Sequence, residues 1–171
     1  KKSEVNQIVI VSSDKDLAQL VETGVEQLVP PPTANPKLGW RILDSNAIQQ
    51  KFGVSPRQIL DYLSVIGDQS DNIPGLSGVG PKTATKWLAE FTNIENLIEN
   101  AGRLTPKRFC SVVYENREKL LMNRELIRLE ADVEFEIHEP RSADLVNLEK
   151  ILTEMEMIKS WDECLNRYSP Y

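Results

Sequence analysis

Residues 7–12 read QIVIVS, an unbroken apolar, β-branched run. A run of this kind predicts a strand buried on both faces, as in a parallel sheet covered by helices. The next residues, SSDKDLAQLVE, predict a short helix capped by Ser13 or Asp14, with Leu17, Leu20 and Val21 on one side. Residues 25–29 (VEQLV) predict a second strand. Strand, short helix, strand is the unit of an α/β fold, and its crossover is expected to be right-handed.

The sheet pattern stops at PPPTANPKLG, which is too rich in proline for regular structure and reads as a surface loop. Asp44 and Ser45 then cap a short helix to Phe52, and Ser55-Pro56 opens another with Ile59, Leu60, Leu63 and Ile66 at a helical period. Helical patterns follow over residues 82–91, 94–100 and, as one long run, 106–129. Residues 133–137 alternate like an edge strand, and residues 145–168 predict one or two closing helices. The expected architecture is the C-terminal part of a parallel-sheet core over residues 1–66, followed by a mainly helical region over 67–171.

No apolar run approaches the ~20 residues of a membrane span, and the first residues lack the apolar core of a signal peptide, so a cytoplasmic, membrane-free protein is expected. Cys110 and Cys164 stand singly, without metal-ligand spacing, and predict buried free thiols. The lone histidine, His138, follows a strand-like run and is given no catalytic role. A net charge of −6 argues against nucleic acid as a partner. The charge is uneven, however: residues 103–128 hold Arg103, Lys107, Arg108, Arg117, Lys119, Arg124 and Arg128 against Glu115, Glu118 and Glu125. That surplus reads either as a set of phosphate contacts or as a solvated helix with i, i+4 pairs such as Glu115 with Lys119.

Two acidic pairs carry the chemistry. Asp14 and Asp16 follow the first strand at its carboxyl edge, where α/β proteins gather ligands, although an Asp at a helix start also caps backbone N–H groups. Asp68 and Asp71 lie three residues apart after a helix, on one side if the turn stays helical. Acids there repel each other and oppose the helix dipole, a cost that a hard divalent cation would offset. Asp71 has the further reading of fixing the Asn72-Ile73-Pro74 turn. Immediately downstream, GLSGVGPKTA places glycines before a helix with Pro81 at its first position. This arrangement lets backbone N–H groups and Lys82 approach a phosphodiester, with Ala84 small enough for helices to cross closely and Lys86 one turn on.

Together, SSDKDL, GDQSDNIPG and GVGPKTA resemble the 5′→3′ exonuclease and flap endonuclease family, in particular the 5′-nuclease domain of bacterial DNA polymerase I and its free-standing counterparts. The resemblance is specific from about residue 8 to 91 and looser beyond. It implies that Asp14, Asp16, Asp68 and Asp71 are ligands of two or more Mg²⁺ or Mn²⁺ ions. It also implies that the segment through Gly78, Gly80, Lys82 and Thr83 is a helix-hairpin-helix gripping double-stranded or 5′-flap DNA. That element is expected to hold K⁺ through Leu76, Ser77 and Val79. The family's first strand, further acids and basic arch precede the segment matched at Gln7 and have no match here. These residues alone are therefore expected to bind DNA weakly and to cut it poorly; a monomer is expected, and the closing YSPY, without an evident linker, is read as not leading into a polymerase domain. A non-catalytic helix-hairpin-helix module that docks on DNA is the rival reading.

Overall fold

The computed structural model describes residues 7–130, 132–134, 136 and 142–168 of the chain. Two compact units divide it, residues 1–131 and 132–171. In the first unit, β1 (Ile8–Val11) runs parallel to β2 (Val25–Val29) with Ile8 opposite Val25. Next to β2, β3 (Arg41–Leu43) is antiparallel, giving the order β1-β2-β3. The strand–turn–strand unit is thus present, but β1 is covered on one face only: Val9 and Val11 are 48% and 61% exposed. The expectation of burial on both faces fails because β1 pairs on one side and alternates half-buried with exposed residues, as a one-face strand does.

The connection from β1 to β2 is a 3₁₀ turn over Asp16–Leu20 rather than an α-helix. With three residues per turn, Ala18 and Val21 share the inward side and are buried, whereas Leu20 is exposed. The predicted Leu17, Leu20, Val21 face is corrected accordingly. Helix α1 (Ser45–Phe52) begins as expected, with the Asp44 carboxylate accepting from the Ala47 N–H at 2.7 Å, and ends at Gly53 in the left-handed region. A Ser55–Gln58 capping box with Pro56 leads into α2 (Ile59–Ile66). Ile59, Asp61, Tyr62, Leu63, Ser64 and Val65 are all buried, so α2 is the central helix of the unit rather than a one-sided one. It packs against α3 (Pro81–Phe91) and α6 (Arg117–Ile127), with α4 (Ile94–Glu99) beside α3 and α6.

The long run expected over 106–129 is broken into α5 (Phe109–Glu115) and α6. Asn116 interrupts it: its side-chain amide donates to the Val112 carbonyl at 2.8 Å, a local bond that competes with helix continuation. Trp87 of α3 is fully buried edge-on to Phe109, with its indole N–H on the Thr105 carbonyl. Buried Asp61 of α2 is paired with Arg124 of α6 at 2.8 Å, and the same guanidinium reaches Glu95 of α4 at 2.9 Å. This three-helix ion network ties α2, α4 and α6 together.

In the second unit, α7 (Leu145–Glu154) is capped by Asp144 and is followed by α8 (Ile158–Tyr168). Glu156, at φ 58°, separates them, which settles the closing segment as two helices. The strand expected over 133–137 falls partly outside the described residues; residues 132–134 and 136 are not in a strand. His138 lies outside the described residues. Cys110 and Cys164 are free, both half-buried rather than fully buried. No helix among the described residues is long and apolar enough to cross a membrane. The fold is mixed α/β, helix-rich with small sheets, in keeping with the expected class.

Candidate metal centre and nucleic-acid interface

Helix α2 stops at Ile66 because Gly67 takes φ +79°, which a side chain would resist. The chain then forms a minimal hairpin, β4 (Gly67–Asp68) against β5 (Ile73–Pro74). Asp68 and Asp71 therefore come together across the 69–72 turn, with Asn72 at φ 56°, and not along a continued helix as their spacing predicted. At the base of the hairpin two backbones nearly touch. A Cβ on Gly75 would lie 2.2 Å from the Ile66 carbonyl carbon and oxygen, so only glycine fits.

One carboxylate oxygen each from Asp16, Asp68 and Asp71 lies within 4.8 Å of the others. Asp16 arrives from the end of β1 and the other two from the hairpin, so the group joins segments more than fifty residues apart in sequence. Asp14 is exposed and stands outside this triplet; its Oδ1 accepts from the Asp16 N–H at 3.0 Å, so it shapes the turn that presents Asp16. Buried Gln27 of β2 clamps the same turn, donating to the Ser12 and Asp14 carbonyls at 3.1 and 2.6 Å. Sequence reasoning missed Gln27, whose signal was a polar residue at the middle of VEQLV.

The triplet is electrostatically unbalanced. Asp16 Oδ1 and Asp68 Oδ2 are buried with no hydrogen-bond partner among the described residues. Burial, and then the charges of Asp14, Asp68 and Asp71, push the Asp16 carboxyl up to about 6. For Asp68, burial acts upward as well, but hydrogen bonds from Lys15 and Ser70 outweigh it and hold the carboxyl below its ordinary value. Lys15 Nζ binds Asp68 Oδ1 and, at 2.9 Å, the Ser70 hydroxyl. An all-carboxylate oxygen set with unfilled buried acceptors suits a hard divalent cation and offers no softer donor.

The glycine-rich turn follows directly. Buried Leu76 anchors it, its N–H on the Val65 carbonyl at 2.9 Å, and the Leu76 carbonyl accepts from the Val79 N–H. Gly78, at φ +75°, and exposed Ser77 form the tip. Gly80 caps α3, its carbonyl accepting from Thr83 and Ala84, and Pro81 occupies the first helical position. A shallow concavity of about 400 Å³ is lined by Gly80, Pro81, Lys82 and Thr83, with Lys82 and Lys86 exposed on the helix that leaves it.

Much of the expected basic surplus serves the fold. Lys119 does not reach Glu115; it donates to the Gly75 carbonyl at 3.0 Å. One turn along α6, buried Asn123 donates to the Ser64 and Pro74 carbonyls at 3.1 and 3.0 Å. Together they hold α2, the hairpin and the turn in register, a role that sequence spacing did not reveal. Arg124 is taken by Asp61 and Glu95, Arg128 pairs with Glu125, Arg103 donates to Asn100, Lys107 to the Gly102 carbonyl and Arg117 to the Tyr114 carbonyl.

A small mixed sheet and an acid-bearing hairpin, followed by a glycine turn and a helical bundle, define a mixed α/β protein, and comparison with known proteins gives the family. The model described as 5′-3′ exonuclease, C-terminal SAM fold matches residues 54–150, and the chain belongs to that family. It is 34% identical over 152 residues to a 5′-3′ exonuclease of Aquifex aeolicus, covering 86% of this chain and 49% of that protein. It is likewise 34% identical to a thermostable DNA polymerase I of Thermus filiformis, covering 86% of this chain and 17% of that one. The chain thus spans half or less of the length of these curated relatives. Among solved structures, the bacteriophage T5 flap endonuclease in a complex with DNA and metal ions shares the fold at a TM-score of 0.63 and 19% identity, over 73% of this chain and 44% of that one.

Proposed function

We propose that the chain is part of a divalent-metal-dependent 5′→3′ exonuclease and structure-specific 5′-flap endonuclease, which hydrolyses DNA phosphodiesters in replication and repair. The observation that carries this reading is the convergence of Asp16, Asp68 and Asp71, with two buried oxygens unpartnered, on the segment that leads directly into the Gly78 turn. Asp16, Asp68 and Asp71 hold the ions, and Asp14 orients Asp16 and adds negative charge. Bound Mg²⁺ or Mn²⁺ would activate the attacking water and stabilise the leaving oxygen, as in sites with two ions ~3.5–4 Å apart. Gly78, Gly80 and Thr83 offer backbone to a duplex phosphate, and Lys82 and Lys86 add charge. These contacts set position without reading bases. K⁺ is proposed to sit at the carbonyls of Leu76 and Val79 with Ser77. The family membership, and a solved relative whose complex includes DNA and metal ions, support both halves of the reading.

Functionally, residues 1–66 contribute core and Asp16, while 67–171 contribute the hairpin acids and the DNA grip. In this reading the chain forms one wall of the site, and by itself it is a monomeric DNA-binding half with weak cleavage. In the full-length protein, Asp68→Asn combined with Asp71→Asn should abolish Mg²⁺-dependent cleavage of a 5′-flap substrate while leaving duplex affinity within a few-fold of wild type. Undiminished cleavage by that variant refutes the proposal. Tighter metal-free DNA binding as its only effect, in a parent that never cleaves, points instead to a docking module.

A further inference from the structure

The motif Asp14-Lys15-Asp16 places a cation between two acids, yet its ammonium crosses to the hairpin and binds Asp68 Oδ1 and the Ser70 hydroxyl. Asp68 Oδ1 also accepts the backbone N–H of Ser70 at 2.9 Å and the Ser70 hydroxyl, so this oxygen is saturated. Its sister Oδ2 and Asp16 Oδ1 are the orphans. Lys15 therefore places a positive charge beside the three carboxylates, on the oxygen next to those a metal would take. The Lys15 side chain is 33% exposed, so solvent lies within reach of a small rotation.

Resting on the metal-centre reading above, we propose that Lys15 is an internal counter-ion. It holds Asp68 while the centre is empty and withdraws toward solvent when divalent cations bind. A Lys⁺ and a divalent ion on one carboxylate repel each other, and that carboxylate has no lone pair to spare on Oδ1. Lys15 thereby weakens metal affinity and keeps the metal-free hairpin in its productive conformation. The two effects are opposite in sign, which separates them from a general loss of structure.

The test is Mn²⁺ binding, read from the free-ion electron paramagnetic resonance signal, together with thermal unfolding in chelator and in Mn²⁺. Measurements compare wild-type full-length protein with Lys15→Met, Lys15→Arg and Asp68→Asn. For Lys15→Met, of similar length without charge, Mn²⁺ binding is expected to tighten about tenfold, equivalent to about 1.4 kcal/mol. Its melting temperature in chelator is expected to fall, and its Mn²⁺-induced rise to exceed that of wild type. Lys15→Arg, which keeps the charge, is expected to stay within about threefold of wild-type affinity, and its folding does not depend on that of the Met variant. Mn²⁺ binding that Asp68→Asn abolishes but Lys15→Met leaves unchanged or weakens would overturn the counter-ion alone. No Mn²⁺ binding sensitive to Asp68→Asn would overturn the metal centre, and the counter-ion with it.

Discussion

Gly75→Ala tests whether the joint between the acid hairpin and the DNA-facing turn is as rigid as the geometry requires. The added Cβ would meet the Ile66 carbonyl carbon and oxygen at 2.2 Å and the Gly67 nitrogen at 2.6 Å. Ordinary carbon contacts lie at ~3.5–4.0 Å, so the backbones must separate by more than about 1 Å. All three opposing atoms are main chain, and no rotamer change relieves the overlap. Separation would strain the bonds that cross the joint: Leu76 N–H to the Val65 carbonyl, Lys119 to the Gly75 carbonyl and Asn123 to the Pro74 carbonyl. At ~0.5–1.5 kcal/mol for each of these three bonds, the expected cost is about 1.5–4.5 kcal/mol. Urea unfolding measures it, with Gly80→Ala as the control, since a Cβ there meets nothing within 4 Å and is expected to cost less than about 1 kcal/mol. Mn²⁺ affinity of folded Gly75→Ala should also fall, because Asp68 and Asp71 ride on the displaced hairpin. A cost below about 0.5 kcal/mol with unaltered Mn²⁺ binding would refute the claim that this close approach positions the site.

Arg124→Met should destabilise by about 3 kcal/mol in urea unfolding, because Asp61 is left buried without its counter-charge; adding Asp61→Asn should recover part of that loss. Stability in chelator should fall as pH rises from 3.8 to about 6. Asp16 keeps its proton in the folded state over that window and loses it in the unfolded chain, so the folded state holds more protons and the slope is negative. Asp68, with its lowered value, contributes the opposite slope only below its ordinary range. Mn²⁺ affinity should rise over the same window and level above it, and a flat profile would contradict the crowding inferred around Asp16. Lys82→Ala and Lys86→Ala should each weaken duplex binding regardless of sequence and lower the slope of log affinity against log salt by about one.

Several features were legible because they depend on neighbours in the chain. The capping Asp44, Ser55-Pro56 and Pro81 at the start of α3 were each read from a local signal and found where that signal put them. The acids and the glycine turn stood out for a different reason: their residue types suit a cation and a phosphate as well as helix capping and turn formation, and the fold then brought three of the acids together. The errors arose where a local pattern was extended past a break. Asn116 closed one helix, and Gly67 turned a presumed helical pair of acids into a hairpin pair.

The sequence by itself determined where several helices begin, the placement of the acids beside a glycine turn and the family to which the chain belongs, because caps and glycine placement act over a few residues. Only the tertiary structure decided which carboxylates meet, that Asp14 shapes the turn while Asp16 joins the triplet, and that Lys15 reaches Asp68 rather than its neighbours. It also turned Lys119, Asn123 and Arg124 from a basic surface into the internal supports of the site. Apart from the local Asp14 bond, those outcomes depend on contacts between residues far apart in the chain, 53 positions for Lys15 with Asp68 and 44 for Lys119 with Gly75. Distance and burial set their energies, and neither is encoded in the spacing of any single segment.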